Sequence, residues 1–253
     1  MPPNTTDSNR ETVNRLRTKN CEDFNQKKCV AWFKKYSRGS NVELMGPEGV
    51  ETLCEDLGVE TESVSLLVLA WKMGAQHMGY FSLQEWLRGL SALQCDSLSK
   101  LKGELGYLHS LMLTSCTFDS IYLYAFDFCR DKDQKGLDRD TAKVMLRLLL
   151  GKKWTLLKSF LLFLDQSRYR VLDKDHWCDV LEFSRAVNTD LKNCDSDVTF
   201  PVVLREFVEW LKKEREKTKS RDKYCLSLFD LRTGFLTSIC QCWFYLVKLF
   251  RRV

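Results

Sequence analysis

From Cys21 onward, apolar residues recur every three or four positions with polar residues between them, which is the spacing of helices that bury one face. In CEDFNQKKCVAWFKKYS, the residues Phe24, Val30, Trp32, Phe33 and Tyr36 supply the aromatic face of a first helix, and SRGSN closes it. A second helix, GPEGVETLCEDLGV, opens with Pro47 in its first turn, where a missing N–H is tolerated, and ends near Gly58. Two helices then flank a glycine-bearing loop between Ser63 and Cys95. The pattern predicts further helices over Leu98 to Leu113, Phe118 to Arg130, TAKVMLRLLLG, KSFLLFLDQS, KDHWCDVLEFSRAV and VVLREFVEWLKKEREKTK. Pro201 fits the start of the last, and its basic run suits a helix C-terminus. With 4 Pro, 12 Gly and no sustained period-two alternation, the expected fold is all-α. Residues 1–20 carry no apolar repeat and read as a disordered lead-in to a domain over 21–217.

Two loops resemble calcium sites stripped of their ligands. An EF-hand loop needs oxygen donors at its first, third and fifth positions, glycine at the sixth and a bidentate Glu at the twelfth. With Gly79 as the sixth, Phe81 falls at the apolar eighth and Glu85 at the twelfth, but Gly74, Gln76 and Met78 occupy the donor positions. In DKDQKGLDRD, Asp131, Asp133 and Gly136 fit, whereas Lys135 takes the fifth position and Ala142 the twelfth. No useful calcium affinity is expected from either. The aspartates read as solvated turn residues and first-turn helix acids.

Composition narrows the class. Hydrophobic residues at 44% and charged residues at 29% describe an ordinary globular mixture, and a net charge of +5 comes with no aromatic-interleaved basic motif for nucleic acid. Eleven cysteines contain no C-x-x-C, and Cys54, Cys129 and Cys178 sit on apolar helical faces, so they read as reduced, buried residues. The start MPPNTTDSNRE has no apolar signal region, which places the protein inside the cell, in nucleus or cytoplasm. Over 218–253 the composition turns apolar and basic, with no charge between Arg232 and Lys248. That run is shorter than the ~20 residues a spanning helix needs. A helix there would align Phe235, Ile239, Trp243, Val247 and Phe250, with Lys248, Arg251 and Arg252 at its end, and Cys240 and Cys242 as acylation candidates. The expectation is either an interfacial anchor or a segment that packs back onto the domain.

No active site assembles from the sequence. His77, His109 and His176 have no metal-ligand partner at helical or turn spacing, and there is neither a phosphate loop nor a G-x-S-x-G elbow. Neither a cofactor nor a metal is expected.

The segments LAWKMGAQHMGYFSLQEW, ALQCDSLSKLK, YAFDFCRDKDQKGLD and KDHWCDVLEFSRAVNTDLKNCDSDVTFPVVLREFVEW resemble the defective-in-cullin-neddylation (DCN-like) proteins and their potentiating-neddylation domain, from about Cys21 to about Lys217. The chain is similar to the shorter branch that has no ubiquitin-binding UBA domain. The resemblance implies an all-α domain opening with an EF-hand-like pair that binds no calcium. It implies a non-catalytic, scaffold-type co-ligase that holds a cullin C-terminal domain and a ubiquitin-like conjugating enzyme together, with a RING protein in the complex.

The same resemblance supplies candidate sites. The acetylated N-terminus of the conjugating enzyme would enter an apolar pocket matched here by Leu66, Leu69, Trp86, Leu90, Gln94, Cys95, Phe128, Met145 and Leu148. Gln94 is the candidate for polar contact to the acetyl amide or the peptide backbone. Each of these residues also fits an ordinary core. The cullin face is implied to be acidic. Asp175 matches its first aspartate, Thr199 replaces the usual Ala, and Arg205 stands where an acidic residue is usual, with Glu206 and Glu209 as partial compensation. A cation facing a basic partner costs affinity. The alternative reading is therefore a decoy or membrane-tethered adaptor that keeps the conjugating-enzyme pocket but engages cullin weakly.

Overall fold

In the computed structural model, described for residues 23–37, 43–192 and 200–225 with side chains as far as 217, the chain is built from helices. The order is α1 (Gln26–Phe33), β1 (Leu44–Met45), α2 (Pro47–Leu57), α3 (Val64–Met73), β2 (Phe81–Ser82), α4 (Leu83–Ala92) and α5 (Leu98–Ser110). A single 3-10 turn (Leu111–Leu113) follows. Then come α6 (Ser115–Cys129), β3 (Leu137–Asp138), α7 (Arg139–Leu150), α8 (Leu157–Gln166), β4 (Val171–Leu172), α9 (Lys174–Ala186) and α10 (Val202–Cys225). The proposed lead-in over 1–20, the closing SRGSN turn, Thr199 and most of the apolar tail lie outside the described residues.

Local chemistry accounts for the helix ends. Pro47 opens α2, and Gly58 closes it in the left-handed conformation that favours glycine. At α4, the Ser82 hydroxyl accepts from the Glu85 N–H while the Glu85 carboxylate accepts from the Ser82 N–H, a reciprocal cap. Asp138 caps α7 by accepting from the Asp140 and Thr141 N–H groups, and Asp173 caps α9 through the His176 N–H.

Four two-residue strands were not expected from the pattern, because segments so short show no alternation. β1 pairs antiparallel with β2, Met45 opposite Phe81, and β3 with β4, Leu137 opposite Leu172. Each pairing ties one helix-loop-helix unit to the next. Gly136 is required at the second. A Cβ there would lie 2.5 Å from the Leu172 carbonyl oxygen.

The core is continuous through both halves. Trp86, fully buried, meets Trp32 edge-on at 4.7 Å and Phe33 at 5.6 Å, packing α4 against α1. Tyr122 and Trp177 stack at 4.6 Å, and each donates to the other's backbone carbonyl at 2.9 Å, which locks α6 to α9. Around Phe207, the rings of Trp154, Phe160, Phe163, Phe183 and Trp210 join α8, α9 and α10. Cys29, Cys54, Cys95 and Cys129 are free and buried within this packing.

Candidate functional site

Two surface features stand out. The first is an uncharged cleft of about 350 Å³ among α2, α3, α6, α7 and the loop that closes on β2. Leu66, Leu67 and Ala70 of α3 form one wall, Phe128 of α6 and Met145 and Leu148 of α7 the other, with Val50 and Phe81 behind. Thr61 and Ser63 are the only hydroxyl-bearing lining residues, and none of the lining side chains is ionisable. The walls are fixed from behind. The Tyr124 hydroxyl donates to the Ala75 carbonyl at 2.8 Å, pinning α6 to the end of α3, and its ring stacks on Phe128 at 5.2 Å.

Of the pocket residues predicted from sequence, Leu66, Phe128, Met145 and Leu148 converge on this cleft. Leu69, Trp86 and Leu90 do not line it. They are almost wholly buried in the core. Gln94 is exposed, at a positive φ of 57°, with Nε2 donating to the Ser91 carbonyl at 2.7 Å. Cys95 is buried beside it, and burial pushes its thiol up to about 12, so it stays a protonated thiol with no nucleophilic character at neutral pH. Next to it, Asp96 accepts from the Asn25 N–H at 3.1 Å and pairs with Lys28 at 3.5 Å and Lys100 at 3.2 Å. Burial alone would raise the Asp96 carboxyl, but these partners outweigh it and hold it below the usual range. Gln94 and Cys95 thus belong to the joint between α4 and α5.

Sequence reasoning missed Val50, Thr61, Ser63, Leu67, Ala70 and Phe81 as lining residues. Phe81 and Gly79 had carried a signal, since both were placed in the loop skeleton. Nothing local in α2 announces that Val50 reaches α3.

The second feature is the α9 surface and the start of α10. Asp175, exposed in the first turn of α9, is followed by Asp179 and Glu182 at helical spacing on the same face. Partial burial, and after it the neighbouring Glu182, Asp175 and Asp173 charges, raise the Asp179 carboxyl, with His176 opposing. Arg205 is exposed and has no ion pair among the described residues. Glu206, read from sequence as compensation, is already paired with Arg168 at 3.0 Å. His176 faces Asp173, Nδ1 to carboxylate 2.9 Å, and among the described residues no three His, Cys, Asp or Glu side chains gather as a metal site.

An all-helical domain with a charge-free cleft at one place and an acidic helix face at another defines the class. Residues 100–210 match the family model described as Cullin binding. DCN1-like protein 4 of Danio rerio is 55% identical over 201 residues, which cover 79% of this chain and 71% of the relative. DCN1-like protein 4 of Homo sapiens is 56% identical over 194 residues, 77% of this chain and 66% of the relative. DCN1-like protein 5 of Rattus norvegicus is 54% identical over 191 residues, 76% and 80% of the two chains. The chain belongs to the DCN1-like family.

Proposed function

We propose that this chain promotes cullin neddylation as a non-catalytic scaffold. It binds a cullin C-terminal domain through the α9 and α10 surface and the acetylated N-terminus of a ubiquitin-like conjugating enzyme in the α3–α6–α7 cleft. A RING protein completes the ligase complex, in nucleus or cytoplasm. The observation that carries the reading is the cleft itself, which is open to solvent, lined by leucine, phenylalanine and methionine, and without a single ionisable side chain. Such a lining accepts a blocked, neutral peptide end and a helix behind it, with a buried apolar anchor. Family membership supports the cullin half. The mechanism is proximity, since holding both reactants raises their effective concentration without any donated nucleophile or acid.

Titrating the full chain with a cullin C-terminal domain, with an acetylated conjugating-enzyme peptide, and with both together tests this. The reading requires that each binds and that neither excludes the other. Mutually exclusive binding would overturn it. A second reading, a decoy or tethered adaptor, rests on Arg205, which has no ion pair among the described residues, and on Glu206 being engaged by Arg168. It predicts intact peptide binding with weak cullin binding in the same titration.

A further inference from the structure

A separate cleft of about 510 Å³ opens at the other end of α6, between the start of that helix, the end of α7 and the end of α9. Its apolar lining is Leu113, Phe118, Leu150 and Leu181, and its charged lining is Lys153 and Arg185. At 1.5 Å per residue, Phe118 lies about 15 Å along α6 from Phe128 of the first cleft, and Arg185 about 15 Å along α9 from Asp175. The first cleft does not reach it, and the acidic face of α9 ends beside it, at Glu182, which is not among its lining residues.

We propose that this cleft docks a short acidic, leucine-bearing peptide of a partner protein. Charge sets the sign. The Lys153 ammonium stands 4.3 Å from the centre of the Phe118 ring and the Arg185 guanidinium 5.8 Å from it, so two cations converge over one aromatic floor. Arg185 is held by Asp119 in a two-pronged pair, and that pairing keeps the Asp119 carboxyl below its usual range. Lys153 donates to the Met112 carbonyl at 2.9 Å and has no ion pair of its own among the described residues, although its charge also helps to lower the Asp119 carboxyl. Counting only the lining cations and the carboxylate paired with them, Lys153, Arg185 and Asp119 sum to one positive charge, which matches a single carboxylate, while Glu182 stands on the neighbouring face of α9 outside the lining.

The apolar part sets the neighbour of that carboxylate. Leu113 is 75% exposed at the rim, the most exposed large hydrophobic side chain among the described residues, while Phe118 and Leu181 form a floor beneath it. One leucine side chain seated there would cover Leu113. The Ser184 hydroxyl selects a peptide over a fatty acid. It donates its proton to the Leu181 carbonyl, so its oxygen is left to accept, and an accepting group suits a backbone N–H.

The test uses the full chain, isotope-labelled, titrated at low salt with the peptide Gly-Gly-Leu-Glu-Leu-Gly-Gly, with its Gln twin, and with decanoate. The glycine flanks keep a blocked apolar terminus out of the first cleft. Amide shifts confined to Phe118, Leu181 and Ser184 are expected, with binding about threefold or more weaker for the Gln twin, the size of one exposed charge pair. Leu113→Glu should abolish the shifts while leaving the spectrum of the core unchanged, because Leu113 contributes almost nothing to the core. The proposal is overturned by absent shifts at millimolar peptide, by equal binding of the Gln twin, or by an unaffected Leu113→Glu variant. Decanoate binding as tightly as the peptide would overturn it too, in favour of a lipid carboxylate.

Discussion

Removing the acetyl group from a conjugating-enzyme peptide should weaken its binding by about two orders of magnitude at pH 7, and the loss should shrink as pH rises. The cleft lining holds no acidic residue, so a protonated terminal amine has no counter-ion within it. Carrying that charge into an apolar site would cost several kcal/mol, and the cheaper route is for the amine to enter neutral. An α-amine titrates near ~7.7–8.0, so deprotonation at pH 7 costs about 1 kcal/mol. Losing the buried acetyl methyl removes about 0.8 kcal/mol more, and the missing amide partner adds roughly 0.5–1.5 kcal/mol. The deprotonation part vanishes above the amine's own titration. The free-amine peptide should therefore gain about 15- to 25-fold between pH 6.5 and 8.5, while the acetylated peptide stays flat. Calorimetric titration of both peptides at three pH values reads this directly. Equal affinity of the two at pH 7, or a pH-independent gap, would show that the amine meets a countercharge and that this cleft is not where the terminus goes.

Asp96→Ala should lower stability by about 2 kcal/mol at pH 7, seen as a drop in urea midpoint, because it strips a buried carboxylate from the Asn25 N–H, Lys28 and Lys100. The Asp96 carboxyl is depressed in the folded chain, so its contribution is present above about pH 4 and is lost as pH falls through the folded value, where variant and parent should converge. Gly89→Ala should cost about 1–3 kcal/mol in the same assay, since the added Cβ would sit 2.3 Å from Met73 Cγ and 2.7 Å from Met73 Cα, a backbone atom that cannot step aside. Calorimetry at millimolar calcium should show no saturable heat, a stoichiometric micromolar site being the contrary result. Arg205→Asp should tighten cullin binding by about 1 kcal/mol or less at low salt, and Asp175→Ala should weaken it. A gain that persists undiminished in high salt would speak against an exposed rim contact.

The helices were legible because their signals are local. Pro47 and Gly58 bound α2 as the sequence indicates, and the Ser82 to Glu85 cap could be read from four consecutive residues. The cleft was only half legible, for a geometric reason. An apolar stripe tells which face of a helix is covered, but not where two covered faces stop short of each other. Leu66 and Leu69 sit one turn apart on α3 and are equally apolar, yet Leu66 lines the cleft and Leu69 is sealed in the core. Val50 arrives from α2 because β1 pairs with β2, and two-residue strands leave no pattern to read. The pairing of Glu206 with Arg168, which cancels a charge assumed free, joins α10 to the turn after α8 and is invisible without the fold.

The two calcium-like loops are closed by the chain itself, and that bears on how the cleft can be controlled. Glu85, which would be the bidentate ligand, instead accepts from the Gln76 N–H at 3.0 Å and the Ser82 N–H at 2.8 Å, fastening the loop to the start of α4. In the other loop, the Arg130 guanidinium donates to the Gln134 carbonyl at 2.6 Å and lies 3.5 Å from that of Asp131. In cation-sensing helix pairs, the ion shifts the balance between closed and open arrangements and so exposes or hides a groove. Here the loop contacts that an ion would organise are made by side chains present at all times, and Phe81 of the first loop is itself a wall of the cleft. With the loops fastened by these hydrogen bonds, calcium is expected to leave the groove unchanged. In the proposed reading, access for the conjugating enzyme is then set by the acetylation of its terminus and by the cullin bound on α9 and α10. Proximity depends on both partners being held at once.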